Sequence, residues 1–212
     1  MNPRSGEDLL ALAPVVPVVV LSEAATAVPL ARALVAGGLP AVEVTLRTGA
    51  ALEAIERIAA EVPQAVVGAG TVTTPHQAEQ AAAAGAAFLV SPGCTPGLHA
   101  AMAATGLPAL PGAATASEAL ALLERGVTAM KFFPAEAAGG RAYLKSLAGP
   151  LPQVRFCPTG GITAASAPDY LALPNVGCVG GTWLTPADAV ASGDWSRVEE
   201  LARLASGLGG AP

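Results

Sequence analysis

Lys131 is one of only two lysines in the chain, the other being Lys145, against nine arginines, and it stands inside the apolar run Ala129-Met-Lys-Phe-Phe133. A lysine in that setting either snorkels to solvent or points into a partly dry pocket. A dry pocket has a chemical use, because low polarity favours a free amine that attacks a ketone to give an iminium, an electron sink. On its position alone, a structural salt bridge accounts for this lysine as well as catalysis does. Glu43 alternates with Val42 and Val44, so it faces opposite to its apolar neighbours, and in a barrel strand that face can be the interior. It either forms a buried ion pair with Arg47 or Lys131, or exchanges protons as a general acid/base during C–C cleavage. Arg47, four residues on, is placed to bind a carboxylate through two hydrogen bonds.

Two glycine pairs carry a second kind of chemistry. Thr159-Gly-Gly-Ile-Thr163 lies between a strand and a helix, and Gly180-Gly-Thr182 follows the next strand. Each pair alone reads as a tight turn. Together, after the last two strands of a (β/α)8 barrel, they could cradle phosphate on backbone N–H groups. Gly68-Ala-Gly-Thr71 lacks the third glycine and the downstream acid of a dinucleotide fingerprint, so no nicotinamide cofactor is expected. The two histidines, His76 and His99, sit far apart in helical stretches. Neither a metal site nor a Ser/His/Asp triad is readily assembled from them, and no metal or organic cofactor is expected.

These residues must be positioned by the strands they follow. Eight β-rich runs alternate with alanine-rich helical stretches, which points to a parallel sheet. The runs are Val15 to Leu21, Ala41 to Leu46, Ala65 to Gly68, Phe88 to Val90, Pro108 to Leu110, Ala129 to Phe133, Val154 to Cys157 and Val176 to Val179. The helical stretches are Ala24 to Ala36, Ala50 to Ala60, Pro75 to Ala84, Pro96 to Ala104, Ala116 to Glu124, Arg141 to Leu147 and Ala164 to Leu171. A single-domain α/β (β/α)8 TIM barrel over 1–212 is expected, with 1–12 as a helical extension and 206–212 as a frayed tail; a doubly wound open sheet is the alternative. The barrel is preferred because a polar or glycine-bearing motif follows nearly every strand, and barrel sites form at the C-terminal strand ends.

Composition narrows the function classes. Hydrophobic residues make up 52% and charged residues 13%, which argues for a globular protein. A net charge of −5 without a basic cluster or an aromatic stripe argues against nucleic acid. The run Val15 to Leu21 is too short to span a bilayer, and Glu7 and Asp8 precede it where a signal peptide would carry positive charge. Cys94, Cys157 and Cys178 are odd in number and widely spaced, so reduced thiols in a soluble cytoplasmic protein are expected.

Several segments are similar to one known family. Val42-Glu-Val-Thr-Leu-Arg-Thr48, Val67-Gly-Ala-Gly-Thr71, Ser91-Pro-Gly93, Lys131-Phe-Phe-Pro-Ala-Glu136 and Val154-Arg-Phe-Cys-Pro-Thr-Gly-Gly-Ile162 closely resemble bacterial 2-keto-3-deoxy-6-phosphogluconate aldolases, which also act on 4-hydroxy-2-oxoglutarate. The resemblance runs across nearly the whole chain. It implies a class I aldolase of the Entner–Doudoroff pathway and a homotrimer, with Lys131 as Schiff-base lysine and Glu43 as acid/base. Arg47 and Thr71 would bind the pyruvyl carboxylate, Pro92 and Phe133 would wall the pyruvyl pocket, and Thr159 would meet substrate hydroxyls. Gly160, Gly161, Gly180, Gly181 and Thr182 would hold phosphate, Thr182 standing where the family is expected to carry serine. A phosphosugar-binding barrel without catalysis and an aldolase for the galactonate isomer remain as alternatives.

Overall fold

The computed structural model describes residues 2–209. Its strands are β1 (Val15–Val19), β2 (Ala41–Thr45), β3 (Val66–Gly70), β4 (Leu89–Val90), β5 (Ala109–Leu110), β6 (Gly112–Ala113), β7 (Ala129–Phe132), β8 (Arg155–Pro158) and β9 (Val179–Gly181). Every residue of β1, β2 and β3 is buried. Such strands read as continuous apolar runs because helices cover the outer face while side chains fill the inner one. The strand orders are β5-β4-β3-β2-β1-β9 and β6-β7-β8, and each ladder is parallel.

The two sheets meet at Pro111, which alone separates β5 from β6. Proline has no N–H to give to a ladder, so the pairing is interrupted there. The chain nevertheless stays beside β7, whose Lys131 N–H donates to the Pro111 carbonyl at 3.0 Å. At the far side, parallel bridges join Phe156 to Val176 and Thr159 to Gly180. The result is an α/β fold built on a curled parallel sheet.

The helices are α1 (Gly6–Leu10), α2 (Ala27–Ala36), α3 (Ala51–Glu61), α4 (Pro75–Ala83), α5 (Pro96–Ala104), α6 (Ala116–Leu123), α7 (Gly140–Ala148), α8 (Ala167–Leu171), α9 (Ala187–Ser192) and α10 (Trp195–Ser206). Local chemistry sets several of their starts. Thr74 with Gln77 and Thr115 with Glu118 form capping boxes at α4 and α6, each satisfying two backbone donors that the first turn leaves free. In α3, Ala51, Ala54, Ile55 and Ile58 are buried, the apolar stripe expected of a helix covering a sheet. Helix α1 lies across the N-terminal strand ends, where Leu9 and Leu10 pack with Val16, Ala41, Val66, Phe88, Cys157 and Cys178. No described helix is long and apolar enough to cross a membrane.

The structure differs from the sequence-based expectation at several places. The expected last strand, Val176 to Val179, begins three residues later as β9, so Gly180 and Gly181 lie within the strand instead of after it. Crowding accounts for the glycines there, since a Cβ on Gly180 would come 2.2 Å from Thr159 Oγ1, and one on Gly181 would come 2.3 Å from the Trp183 ring. Helices α9 and α10 were not expected, and α8 starts three residues later than the run Ala164 to Leu171 suggests. Of the tail, Ser206 ends α10, Gly207–Gly209 form a 3-10 turn, and 210–212 lie outside the described residues.

Candidate active site

Lys131 on β7 and Glu43 on β2 point into the same interior space. Lys131 Nζ lies 3.2 Å from Glu43 Oε1, and each side chain is 3% exposed. Of the two ion pairs considered for Glu43, the structure makes the one with Lys131. Removing two charges from water costs several kcal/mol per ion before their attraction repays it, so a buried pair of this kind is weak evidence for stability and invites a functional reason. The Phe133 ring centroid stands 5.3 Å from Nζ, a cation–π distance, and gives the amine an apolar wall.

Glu43 has room because of Gly70. A Cβ at that position would come 2.1 Å from Glu43 Oε1 and 2.5 Å from its Cγ, so only glycine leaves the carboxylate where it is. In the sequence the glycines around Thr71 read as a partial fingerprint; this steric role does not show there, because the clash is across strands. Thr45, next on the same face of β2, is fully buried and donates to the Val19 carbonyl at 3.0 Å, tying β2 to β1 directly above Glu43.

At the ends of β2 and β3, Arg47 Nε donates to Thr71 Oγ1 at 3.0 Å. Thr71 holds φ at +58°, a left-handed conformation that costs a β-branched residue on the order of 1–3 kcal/mol. That conformation aims the hydroxyl at the guanidinium. The two residues expected to share a carboxylate are thus already joined, one on each strand and both above Glu43.

The remaining expected residues form a belt from β4 round to β9. Ser91 is fully buried, and its Oγ accepts from the Gly112 N–H at 3.2 Å; a Cβ on Gly112 would come 2.4 Å from the Pro92 carbonyl. Pro92 is thereby packed on Gly112, the register partner of Lys131. Thr159 is buried at the end of β8, and Gly160 and Gly161 follow it with φ of +104° and +81°, values that glycine alone adopts freely. A Cβ on Gly160 would lie 3.3 Å from the Phe133 ring, so Phe133, Thr159, Gly160 and Gly180 are contiguous. Thr182 follows Gly181 at the end of β9 and is exposed in a cleft of about 400 Å³ that it shares with Val18, Val20, Ser22 and Thr185.

Cys157 and Cys178 lie beneath the Lys131–Glu43 pair. Cys178 is held well above the usual thiol range, first by its hydrogen bond with Cys157 and then by burial, so it stays protonated at neutral pH and is not a nucleophile.

An amine against a carboxylate, with a guanidinium and a hydroxyl above them at the ends of parallel strands, is an arrangement on an α/β frame that can support amine-based carbonyl chemistry. A family model described as KDPG and KHG aldolase matches residues 7–201, and the chain belongs to that family. It is 52% identical over 201 residues to the KHG/KDPG aldolase of Escherichia coli K12, covering 95% of this chain and 94% of the relative. The crystal structure of KDPG aldolase from Legionella pneumophila, with pyruvate captured as a covalent carbinolamine intermediate, superposes with a TM-score of 0.93 at 46% identity, covering 95% and 98% of the two chains. The Zymomonas mobilis ZM4 enzyme with 3-phosphoglycerate superposes at 0.92 and 49% identity, covering 97% and 96%.

Proposed function

We propose that the protein is a metal-independent class I aldolase that cleaves 2-keto-3-deoxy-6-phosphogluconate to pyruvate and glyceraldehyde 3-phosphate, and 4-hydroxy-2-oxoglutarate to pyruvate and glyoxylate. The observation that carries this reading is the 3.2 Å contact between Lys131 Nζ and Glu43 Oε1, both side chains buried in the interior. The pyruvate adduct of the Legionella relative and the 3-phosphoglycerate complex of the Zymomonas relative support the two halves of the substrate. Pro111 continues the run from β5 to β6, and the bridges from β8 to the β9 segment span the opposite gap; on that basis the two sheets are read as one closed (β/α)8 barrel.

In this reading the C2 ketone condenses with the Lys131 amine, losing water to form an iminium. Arg47 and Thr71 hold the carboxylate next to that carbon, fixing which face the substrate presents. Glu43 takes the proton of the C4 hydroxyl, the C3–C4 bond breaks, and its electron pair moves into the iminium to give an enamine as the aldehyde leaves. C3 of the enamine is then protonated from Glu43, and water hydrolyses the resulting iminium to pyruvate and free Lys131. Pro92 and Phe133 shield the pyruvyl group. Thr159 meets the hydroxyls, and Gly160, Gly161, Gly180, Gly181 and Thr182 hold the phosphate. The working assembly is a cytoplasmic homotrimer, which sedimentation at working concentration checks.

Borohydride reduction in the presence of pyruvate tests the central step. A lactyl-sized adduct confined to Lys131, absent from K131A, is the expected result. Lys145 is exposed on α7 and serves as an internal control. A folded protein that gains no adduct, or gains it at Lys145 or the N-terminus, overturns the reading.

A further inference from the structure

The glycine loop after β8 is held from below by two residues with no part in the chemistry described so far. The loop starts at Thr159 and leads into α8. Its first two carbonyls are pinned by the segment after β7: Ala135 N–H donates to Thr159 O at 2.8 Å, and Glu136 N–H donates to Gly160 O at 3.1 Å. Glu136 then runs its side chain along Gly161, where a Cβ would come 2.7 Å from Glu136 Cγ and 2.8 Å from its Cβ. The carboxylate continues past the loop and accepts a hydrogen bond from Tyr170 Oη at 2.8 Å.

Tyr170 closes the figure. It belongs to α8, the helix that this same loop enters, and is fully buried. Burial and then the contact with Glu136 push the phenol far above its ordinary range, so the hydroxyl remains a donor throughout the working pH range. Glu136 thus joins the beginning of the loop to the helix at its end, and does so while filling the side-chain space that Gly161 leaves empty. Successive glycines at φ of +104° and +81° have wide conformational freedom and lose more entropy on ordering than other residues. A loop of that composition presents its N–H groups at a fixed point only if something outside it fixes them.

We propose that Glu136 and Tyr170 are positioning residues for the Gly160–Gly161 loop, and that the hydrogen bond between them sets the preference for phosphorylated over unphosphorylated substrates. The proposal rests on the reading of that loop as the phosphate site. It separates two properties of one active site: the Lys131 and Glu43 chemistry is carried on β7 and β2, whereas the phosphate grip depends on a contact between the β7–α7 segment and α8. Breaking the contact loosens the loop and leaves the amine where it is.

The test compares wild type, Y170F, E136A and E136Q on 2-keto-3-deoxy-6-phosphogluconate and on 4-hydroxy-2-oxoglutarate, with melting temperature and borohydride capture of pyruvate as checks on folding and imine formation. Losing a hydrogen bond to a charged group corresponds to about tenfold. In Y170F and E136A, KM for the phosphorylated substrate is therefore expected to rise about tenfold, with KM for 4-hydroxy-2-oxoglutarate and pyruvate capture within about twofold of wild type. E136Q retains an acceptor for the phenol and restores the preference. Equal losses on both substrates, or no change on either, overturn the positioning role. A wild type that shows no preference for the phosphorylated substrate overturns the reading of the loop, and the brace with it.

Discussion

The tightest steric requirement in the site is also the one most open to test. Replacing Gly70 with alanine adds a single Cβ that would lie 2.1 Å from Glu43 Oε1, where ordinary contact begins at 3.4 Å. In a close-packed interior the carboxylate must then retreat by roughly 1.3 Å. Gly70 is a regular residue of β3 in register with Thr45 and does not hold a positive φ, so the backbone accepts alanine and the cost falls on Glu43. A displacement of about 1 Å in a reacting group is worth on the order of 100-fold, about 2.7 kcal/mol of transition-state stabilisation. G70A is thus expected to lower kcat for cleavage about 100-fold, approaching E43Q, while borohydride with pyruvate still labels Lys131. The assay pairs pyruvate release, followed through lactate dehydrogenase, with peptide mass analysis of the reduced adduct. Wild-type kcat in G70A, or parallel loss of adduct and cleavage, would refute the assignment of imine formation to Lys131 and proton transfer to Glu43.

Two further outcomes follow from the same geometry. R47K keeps the positive charge but loses the planar fork that matches a carboxylate, so KM for pyruvate in adduct formation should rise about tenfold; an unchanged KM places the carboxylate elsewhere. The Glu7 carboxyl is held below the usual carboxylate range, chiefly by the hydrogen bond from Thr128. Such a group contributes stability above its unfolded value and loses it as pH falls through its lower folded value. T128V should therefore melt below wild type at neutral pH, with the gap closing in acid below the ordinary value of 4.5. A gap that does not depend on pH removes Glu7 from the account.

The central pair was legible in the sequence because composition made it conspicuous. A lysine among Met and Phe, in a chain with only one other lysine, and a glutamate alternating with valines each break a local rule, and such breaks cluster at functional sites. The strand-and-helix alternation was legible for a related reason, since runs such as Val15–Val19 and helices such as Ala51–Glu61 announce their period. What lay hidden depends on contacts between distant segments. That Gly70 clears space for Glu43, that Thr71 adopts a left-handed φ, and that Glu136 reaches Tyr170 across 34 positions cannot be read from any window of sequence. The boundary of β9 was misplaced because Val176 to Val179 has a strand's composition, while the register is set by Val179 N–H donating to the Pro14 carbonyl at 2.9 Å. Helix α10 escaped notice, although its Asp194 cap and its buried Val198, Ala202 and Ala205 give it an ordinary amphipathic pattern.

Helix α1 gives the interior a floor. With Leu9 and Leu10 seated over the N-terminal strand ends, whatever reaches Lys131 enters and leaves by the opposite mouth. In the proposed reaction the pyruvyl group is held on Lys131 at the back of that vessel while the phosphorylated aldehyde stands nearer the mouth, so traffic is last in, first out. Cleavage is then an ordered reaction in which the aldehyde departs before pyruvate, and in synthesis pyruvate must enter first. Pyruvate accordingly competes with the sugar acid for the empty enzyme, whereas the aldehyde meets an enzyme already loaded; the covalent link to Lys131 sets that order, and the floor leaves one mouth through which it is carried out.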